Sequence, residues 1–401
     1  MFHLKKLKKM EKTIKYAVGI DVSKDTIHTC LCEIDNKQQV KIKASHRFSN
    51  DVKDFPGFVQ WIQKHQKQKE ITVVTCMEAT GIYYEKLAIH LHKKSYTVAV
   101  VLPSKAKKYM QSLGLKSKND KIDAAGLARM AAEQNLDQWQ PMGEFFYQLR
   151  QLTRHHEQLQ ESKTVFVSQL HALKHGAFEV KEVVRQQKKM IALIEKQIQE
   201  TFNAIQKHIN NNEEVRIKTE HICKIKGIGL LTVATVIAET NGFALFKNIR
   251  QLVSYAGYDV VENQSGYHTG KTKISKKGNR HIRRILHLPS FGVVRFNQKP
   301  FADLFNRVYD KTKIKMKGYV AVQKKLLVYI YTLWKKNEEY QPQIKTSGND
   351  ELKSLFLLGS VGAITTEDMV VKKVVPIITG TTQDELPYNE SPEALFLLMQ
   401  K

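Results

Sequence analysis

Tyr16-Ala17-Val18-Gly19-Ile20-Asp21-Val22-Ser23-Lys24 is the stretch whose reading decides the fold. Tyr16–Val22 is apolar apart from one acid and reads as a strand. Asp21 lies between Ile20 and Val22, so its carboxylate projects from one sheet face. Ile27–Ile34 alternates and ends at the turn signal Asp35-Asn36, which predicts a β-hairpin over 15–35. Val40–Phe48 offers a third strand. Phe55, Phe58, Val59 and Ile62 then fall at helical spacing. Ile71–Cys76 reads as a short buried strand leading to Glu78, Tyr83–Lys94 as a helix, and Thr97–Leu102 as a strand closed by Pro103. This order predicts an α/β domain with a mixed sheet.

Acids recur at the edges of those elements. Glu78 follows the Val-Val-Thr-Cys-Met run, and Asp120 and Asp123 stand at i and i+3 in Lys-Asn-Asp-Lys-Ile-Asp-Ala. That spacing puts both carboxylates on one face of a helix expected to begin near Ser117. With Asp21 and Glu78 they can converge over the centre of a mixed sheet. Carboxylates gathered from several elements hold divalent cations, and cations held so assist phosphoryl chemistry. Taken singly, Asp120 and Asp123 read as first-turn charges favoured by the helix dipole, and Glu78 as a cap.

From residue 145 the hydrophobic period changes. Phe145, Leu149, Leu152, Leu159, Phe166, Leu170, Leu173 and Ala177 fall on an alternating four-three spacing, interrupted at two seam positions by His156 and Lys163. Val180, Val184, Ile191, Ile194, Ile198, Phe202, Ile205 and Ile209 repeat the pattern. Two long helices are expected, as an intramolecular coiled-coil hairpin bending near Gly176 or as a dimer seam. Ile225-Lys226-Gly227-Ile228-Gly229 before Leu231–Glu239 has the form of a helix-hairpin-helix. Lys226, Gly227 and Gly229 would face phosphate there; a plain tight turn between packed helices is the alternative.

Charge narrows the partners. Against 39 Asp+Glu stand 64 Lys+Arg, a formal net charge of +25. Excess of that size favours a polyanion, with nucleic acid first. The cysteines Cys30, Cys32, Cys76 and Cys223 include no CxxC pair and read as core thiols in a reducing cytoplasm. No apolar run reaches membrane-spanning length, and the basic start meets Asp21 too soon for a signal peptide, so no membrane partner is expected.

The motifs Gly19-Ile20-Asp21-Val22-Ser23-Lys24, Glu78-Ala79-Thr80-Gly81 and Lys118-Asn119-Asp120-Lys121-Ile122-Asp123-Ala124 together resemble the DEDD transposases of bacterial insertion sequences, relatives of the Piv/MooV DNA invertases. The resemblance spans about residues 15–335. It implies an RNase H-like, RuvC-type domain that binds Mg²⁺, with Mn²⁺ as the other candidate, through Asp21, Glu78, Asp120 and Asp123. It also implies donor and target DNA as substrates and a bridge RNA, encoded by the element, that pairs with both.

Leu252–Gly257, Gln264-Ser265-Gly266 and Lys273-Ile274-Ser275-Lys276-Lys277-Gly278-Asn279-Arg280-His281-Ile282-Arg283-Arg284 are similar to the same family's C-terminal domain. On that match Ser265 is the nucleophile and forms a phosphoserine link to DNA. Independently of the match, Gly266 permits close backbone approach. Lys271, Lys273, Lys276, Lys277, Arg280, Arg283 and Arg284 can offset charge developing on a phosphorane; a solvated helix face is the plainer reading of those cations. Where family members carry a proline before the Ser-Gly and a second glycine after it, this chain has Asp259-Val260 and Tyr267-His268. Ser275 is the alternative serine. Gly266-Tyr-His-Thr-Gly270-Lys271-Thr272 imitates a phosphate-binding P-loop but is one residue short between its glycines.

The expected organisation is therefore a basic arm (1–14), a RuvC-like catalytic domain (15–143) and a coiled-coil segment (144–215). A small, mainly helical transposase domain (216–340) and a tail with no assigned role (341–401) follow. The expected activity is cutting and rejoining DNA by a cytoplasmic, nucleoid-associated homodimer or homotetramer. A RuvC-like nuclease acting by hydrolysis is the alternative, which needs the acids but not Ser265. An actin-like kinase lacks its further glycine motifs here, and an architectural binder would not need Asp21.

Overall fold

The structure, a computed structural model, describes residues 12–114, 119–262, 264–266, 268–270 and 272–341. The sheet domain runs β1 (Thr13–Val22), β2 (Thr26–Asp35), β3 (Val40–Ser49), α1 (Phe55–His65), β4 (Val73–Glu78), α2 (Glu85–Lys93), β5 (Thr97–Val101), α3 (Pro103–Ser112) and α4 (Asp120–Glu133). The strand order is β3-β2-β1-β4-β5. β1, β2 and β3 are antiparallel, while β4 and β5 run parallel to β1. This is the mixed sheet that the order of elements in the sequence predicts.

The pleat divides the sheet cleanly. Tyr16, Val18, Ile20 and Val22 of β1 pack with Phe55, Phe58 and Ile62 of α1 and Leu87 and Leu91 of α2. The alternate residue Ala17 packs on the other face with Cys30, Cys32 and Cys76 and with Ala124, Leu127, Ala128 and Ala131 of α4. The three thiols are buried and unpaired, as expected of core cysteines. Two assignments shift. Glu78 is the last residue of β4 rather than a residue beyond it, and α3, unpredicted, begins at Pro103.

The helical part begins with α5 (Glu144–Lys174) and α6 (Lys181–Asn210), which pack on each other and carry a Lys163–Glu195 ion pair at 3.0 Å. Then follow α7 (Glu213–Cys223), α8 (Leu230–Glu239), α9 (Ile249–Ala256), the two-residue strands β6 (Val260–Val261), β7 (Gln264–Ser265), β8 (His268–Thr269) and β9 (Lys273–Ile274), α10 (Arg280–Ile285), α11 (His287–Arg295), α12 (Lys299–Thr312) and α13 (Lys315–Lys336). The bases of α5 and α6, through Leu149, Ile205 and Ile209, share one core with Val233, Ile237, Phe243, Leu326 and Trp334. The two parts are tied at Glu85, which accepts a hydrogen bond from Tyr147 at 2.8 Å and pairs with Arg150 at 3.5 Å. Among the described residues no helix is long and apolar enough to cross a membrane.

Candidate active site

Asp21 lies one residue before the end of β1, and the register decides its neighbours. His28 of β2 stands directly opposite it, and the Ile20–Met77 pairing brings Glu78 alongside on β4. Because Ala17, Cys30 and Cys76 face α4, period-two alternation sends Asp21, His28 and Glu78 to that same face. Thr80 Oγ1 donates to Glu78 Oε1 at 3.0 Å and fixes one carboxylate oxygen.

The helix arrives there because two residues let it. Asn119 caps α4, its side chain accepting from the Ile122 N–H at 2.9 Å, so the helix starts at Asp120; the expected start, Ser117, lies outside the described residues. Gly19 lets the helix lie against β1. A Cβ on Gly19 would fall 2.0 Å from the Ala124 carbonyl oxygen and 2.1 Å from the Ala128 nitrogen. The first turn then delivers Asp120 and Asp123 to Asp21, at the helix end where negative charge is favoured.

Ligand atoms of Asp21, His28 and Asp120 all lie within 4.8 Å of one another, and His28 Nδ1 is 3.3 Å from Asp120 Oδ2. Burial, followed by repulsion from Asp120, Asp123 and Glu78, pushes the Asp21 carboxyl up to about 6, with His28 opposing. Of the four expected acids the structure brings Asp21 and Asp120 within reach of one ion, and Asp123 and Glu78 lie close enough to repel Asp21. His28 was missed, since a lone histidine on an alternating strand carries no signal until the register is known.

The second expected centre is separate in the fold. Ser265 is exposed on β7, which pairs with β8 as Ser265–His268. Gly266 follows with φ +55°, the left-handed conformation that opens a two-residue hairpin. Ser275 is engaged as a turn residue, donating to the Gly257 carbonyl and accepting from the Lys277 N–H, both at 3.3 Å.

The expected cations divide. Lys273, Lys276, Lys277 and Arg280 are exposed, and Lys271 lies outside the described residues. Arg283 instead donates to the Ala256 carbonyl at 2.8 Å. Arg284 pairs with Glu157 at 2.8 Å and also with Glu161. These two guanidiniums join α10 to α9 and α5. Nearby, Arg154 grips the buried Glu239 at 2.7 and 2.9 Å, and Asn279, the α10 cap, donates to it at 2.6 Å. Burial alone would raise Glu239, but Arg154 and Asn279 outweigh it and hold the carboxyl below its usual range.

Gly227 also changes role. Its φ is +105°, and a Cβ would sit 2.8 Å from the Val293 nitrogen of α11. Its missing side chain serves helix packing against α11. Lys226 and Gly229 remain exposed, with Gly229 capping α8.

Comparison with known proteins matches these two regions in turn. The profile for transposases of the DEDD type covers residues 18–179, and the profile "Transposase IS116/IS110/IS902 family" covers residues 219–306. The chain belongs to this transposase family. The pilin gene-inverting proteins of Moraxella lacunata and Moraxella bovis are each 28% identical over 342 residues, covering 82% of this transposase and 99% of the relative. Among solved structures, Thermus thermophilus RuvC aligns with a TM-score of 0.24 and 11% identity, over 29% of this chain and 93% of RuvC. RuvC from that organism in complex with a Holliday junction aligns with a TM-score of 0.23 and 10% identity, over the same shares.

Proposed function

We propose that this transposase cuts and rejoins DNA through a phosphoserine at Ser265, with Asp21, Glu78, Asp120 and Asp123 holding a divalent cation. One observation carries the reading: Asp21 and Asp120, from a strand and a helix, offer donor atoms to one point with Glu78 and Asp123 nearby, and burial, then repulsion from these acids, holds a proton on Asp21 into the weakly acidic range. Hard oxygen donors in that number suit Mg²⁺, and Mn²⁺ as well. When bound, such an ion supplies stabilisation of charge on phosphate and leaving oxygens.

Ser265 Oγ attacks phosphorus, its proton passing to a base or to water. The bond from phosphorus to one deoxyribose oxygen breaks, and that oxygen leaves as a hydroxyl after taking up a proton. The phosphoserine conserves the ester, so attack by the hydroxyl of another strand rejoins DNA and frees the serine without a nucleotide cofactor. Lys273, Lys276, Lys277 and Arg280 are exposed near this hairpin in sequence and can offset the phosphorane charge, with Lys271 beside them in the chain and Lys226 and Gly229 as further backbone contacts. A bridge RNA encoded by the element pairs donor and target DNA in this reading, so side chains need only hold backbone. The relatives named as gene-inverting proteins support recombination as the reaction class.

Ser265 and the acids lie on separate elements, which supports an assembly in which one protomer's acids act on DNA held by its partner's serine. Phe178, Val180 and Leu193, exposed on or between α5 and α6, support a homodimer or homotetramer. The setting is the cytoplasm, at the nucleoid.

The test is a covalent-adduct assay. Protein, element-encoded RNA, Mg²⁺ and labelled donor and target DNA are incubated and denatured in detergent, and the cross-linked residue is mapped. An adduct at Ser265, lost in Ser265→Ala, is expected. Cleaved DNA with no adduct would assign the acids to a hydrolytic nuclease and leave Ser265 a turn residue.

A further inference from the structure

We infer that His28 is a nitrogen ligand of the cation held by the acidic cluster, and that it biases this site toward Mn²⁺ over Mg²⁺. The inference rests on the metal reading of that cluster and adds to it a ligand and a selectivity.

Three observations carry it. His28 is cross-strand from Asp21 in the antiparallel register, so the two side chains leave the same face of the sheet as nearest neighbours. Its Nδ1 points into the cluster, 3.3 Å from Asp120 Oδ2. One donor atom each from Asp21, His28 and Asp120 falls within a span of 4.8 Å, close enough for one ion to touch all three. Those residues come from β1, β2 and the first turn of α4, elements fixed by a continuous core. The imidazole therefore sits on a framework rather than on a loop.

The chemistry follows from the donor. Mg²⁺ takes oxygen almost exclusively and gives up its water reluctantly. Imidazole nitrogen is a better ligand for Mn²⁺ and the later divalent metals. A cluster of four carboxylates discriminates weakly between the two ions; one nitrogen in the shell breaks that parity. The rival role for His28 is that of an ion-pair partner, its imidazolium neutralising Asp120. That role predicts no selectivity, because it acts on charge alone.

The experiment is metal binding by the intact, metal-free protein, without DNA or turnover. Titration calorimetry gives Mn²⁺ and Mg²⁺ affinities for wild type, His28→Ala, His28→Asn and Asp21→Asn, with circular dichroism to confirm folding. Pulsed electron paramagnetic resonance of the Mn²⁺ form reads nitrogen coupling directly. His28→Ala is expected to weaken Mn²⁺ by roughly tenfold or more, to change Mg²⁺ much less, and to abolish the nitrogen signal. His28→Asn, which keeps size and polarity without the imidazole, should behave the same way.

Wild type that binds Mn²⁺ with no nitrogen coupling overturns the inference and leaves the carboxylate site intact. Equal losses for both ions in the His28 variants overturn it too, and assign His28 to Asp120 alone. Wild type that binds neither ion, with Asp21→Asn indistinguishable from it, overturns the metal reading and this inference together.

Discussion

At the scale of single residues, Asp21 shows what the cluster costs the fold. Its carboxyl rises from the ordinary value of 3.8 to about 6 in the folded chain, through burial first and then its three acidic neighbours. Between those values the folded state keeps a proton that the unfolded state has released. The stability of the metal-free protein therefore falls as pH climbs through that window and stays lower above it. Solvent reaches the half-buried group, so the cost is about 1–2 kcal/mol rather than the full equivalent of the shift. Asp21→Asn is expected to raise the melting temperature of the metal-free protein at neutral pH, to flatten the pH dependence below it, and to eliminate the DNA adduct. Thermal melts across pH without metal check this; a variant that melts lower than wild type at neutral pH contradicts the repulsion argument. Asp21 was legible because an acid in an apolar strand is anomalous on its face. His28 was not, because its meaning lies in a cross-strand partner.

At the scale of elements, the approach of α4 to β1 builds the site. Small residues line the contact, with Gly19 on the strand and Ala124 and Ala128 on the helix. The atoms that a Cβ on Gly19 would meet are backbone, which cannot rotate away, so the helix itself must move. Gly19→Ala is expected to destabilise the domain by about 1–3 kcal/mol or more. It should also weaken divalent-metal binding more than Gly57→Ala, a glycine with open space around it. Calorimetric melting and metal titration of the two variants decide it, and equal behaviour would mean that α4 does not depend on this close approach. The helices α1 and α2 were readable from periodicity because each buries one face, and β1, β2 and β4 from their apolar runs because the sheet is covered on both sides. The α3 helix escaped because its sequence, Pro-Ser-Lys-Ala-Lys-Lys-Tyr-Met-Gln-Ser, buries only Ala106 and shows little apolar stripe.

At the scale of the whole molecule, the charge excess separates into two populations. Arg154, Arg283 and Arg284 bind protein groups, while Lys273, Lys276, Lys277 and Arg280 face solvent. Glu157 records the first population: burial acts against its ionisation, but His281 and Arg284 prevail and hold it below the usual range. Arg284→Ala is expected to lower stability by about 1 kcal/mol, as a partly exposed ion pair would. It should leave the salt dependence of DNA binding unchanged. Replacing both Lys276 and Lys277 with Ala should leave melting unchanged and flatten the salt dependence by about one unit of slope per lost phosphate contact. Melting curves with binding isotherms over a salt series separate the cases; a flattened slope for Arg284→Ala would return that residue to the nucleic-acid surface.

The sequence by itself determined what depends on local order. It held the strand and helix periods, the four acids at element ends, the Ser-Gly pair in a basic stretch and the sign of the net charge. Tertiary structure alone decided the roles that depend on which groups meet. His28 joins the acids because the β1–β2 register sets it opposite Asp21. Gly227 serves packing because α11 lies against it. Arg283 and Arg284 tie helices together because carbonyl and carboxylate partners from distant segments reach them. Periodicity is a property of neighbours along the chain, whereas an ion pair or a close backbone approach belongs to neighbours in space, and no spacing along the chain encodes it.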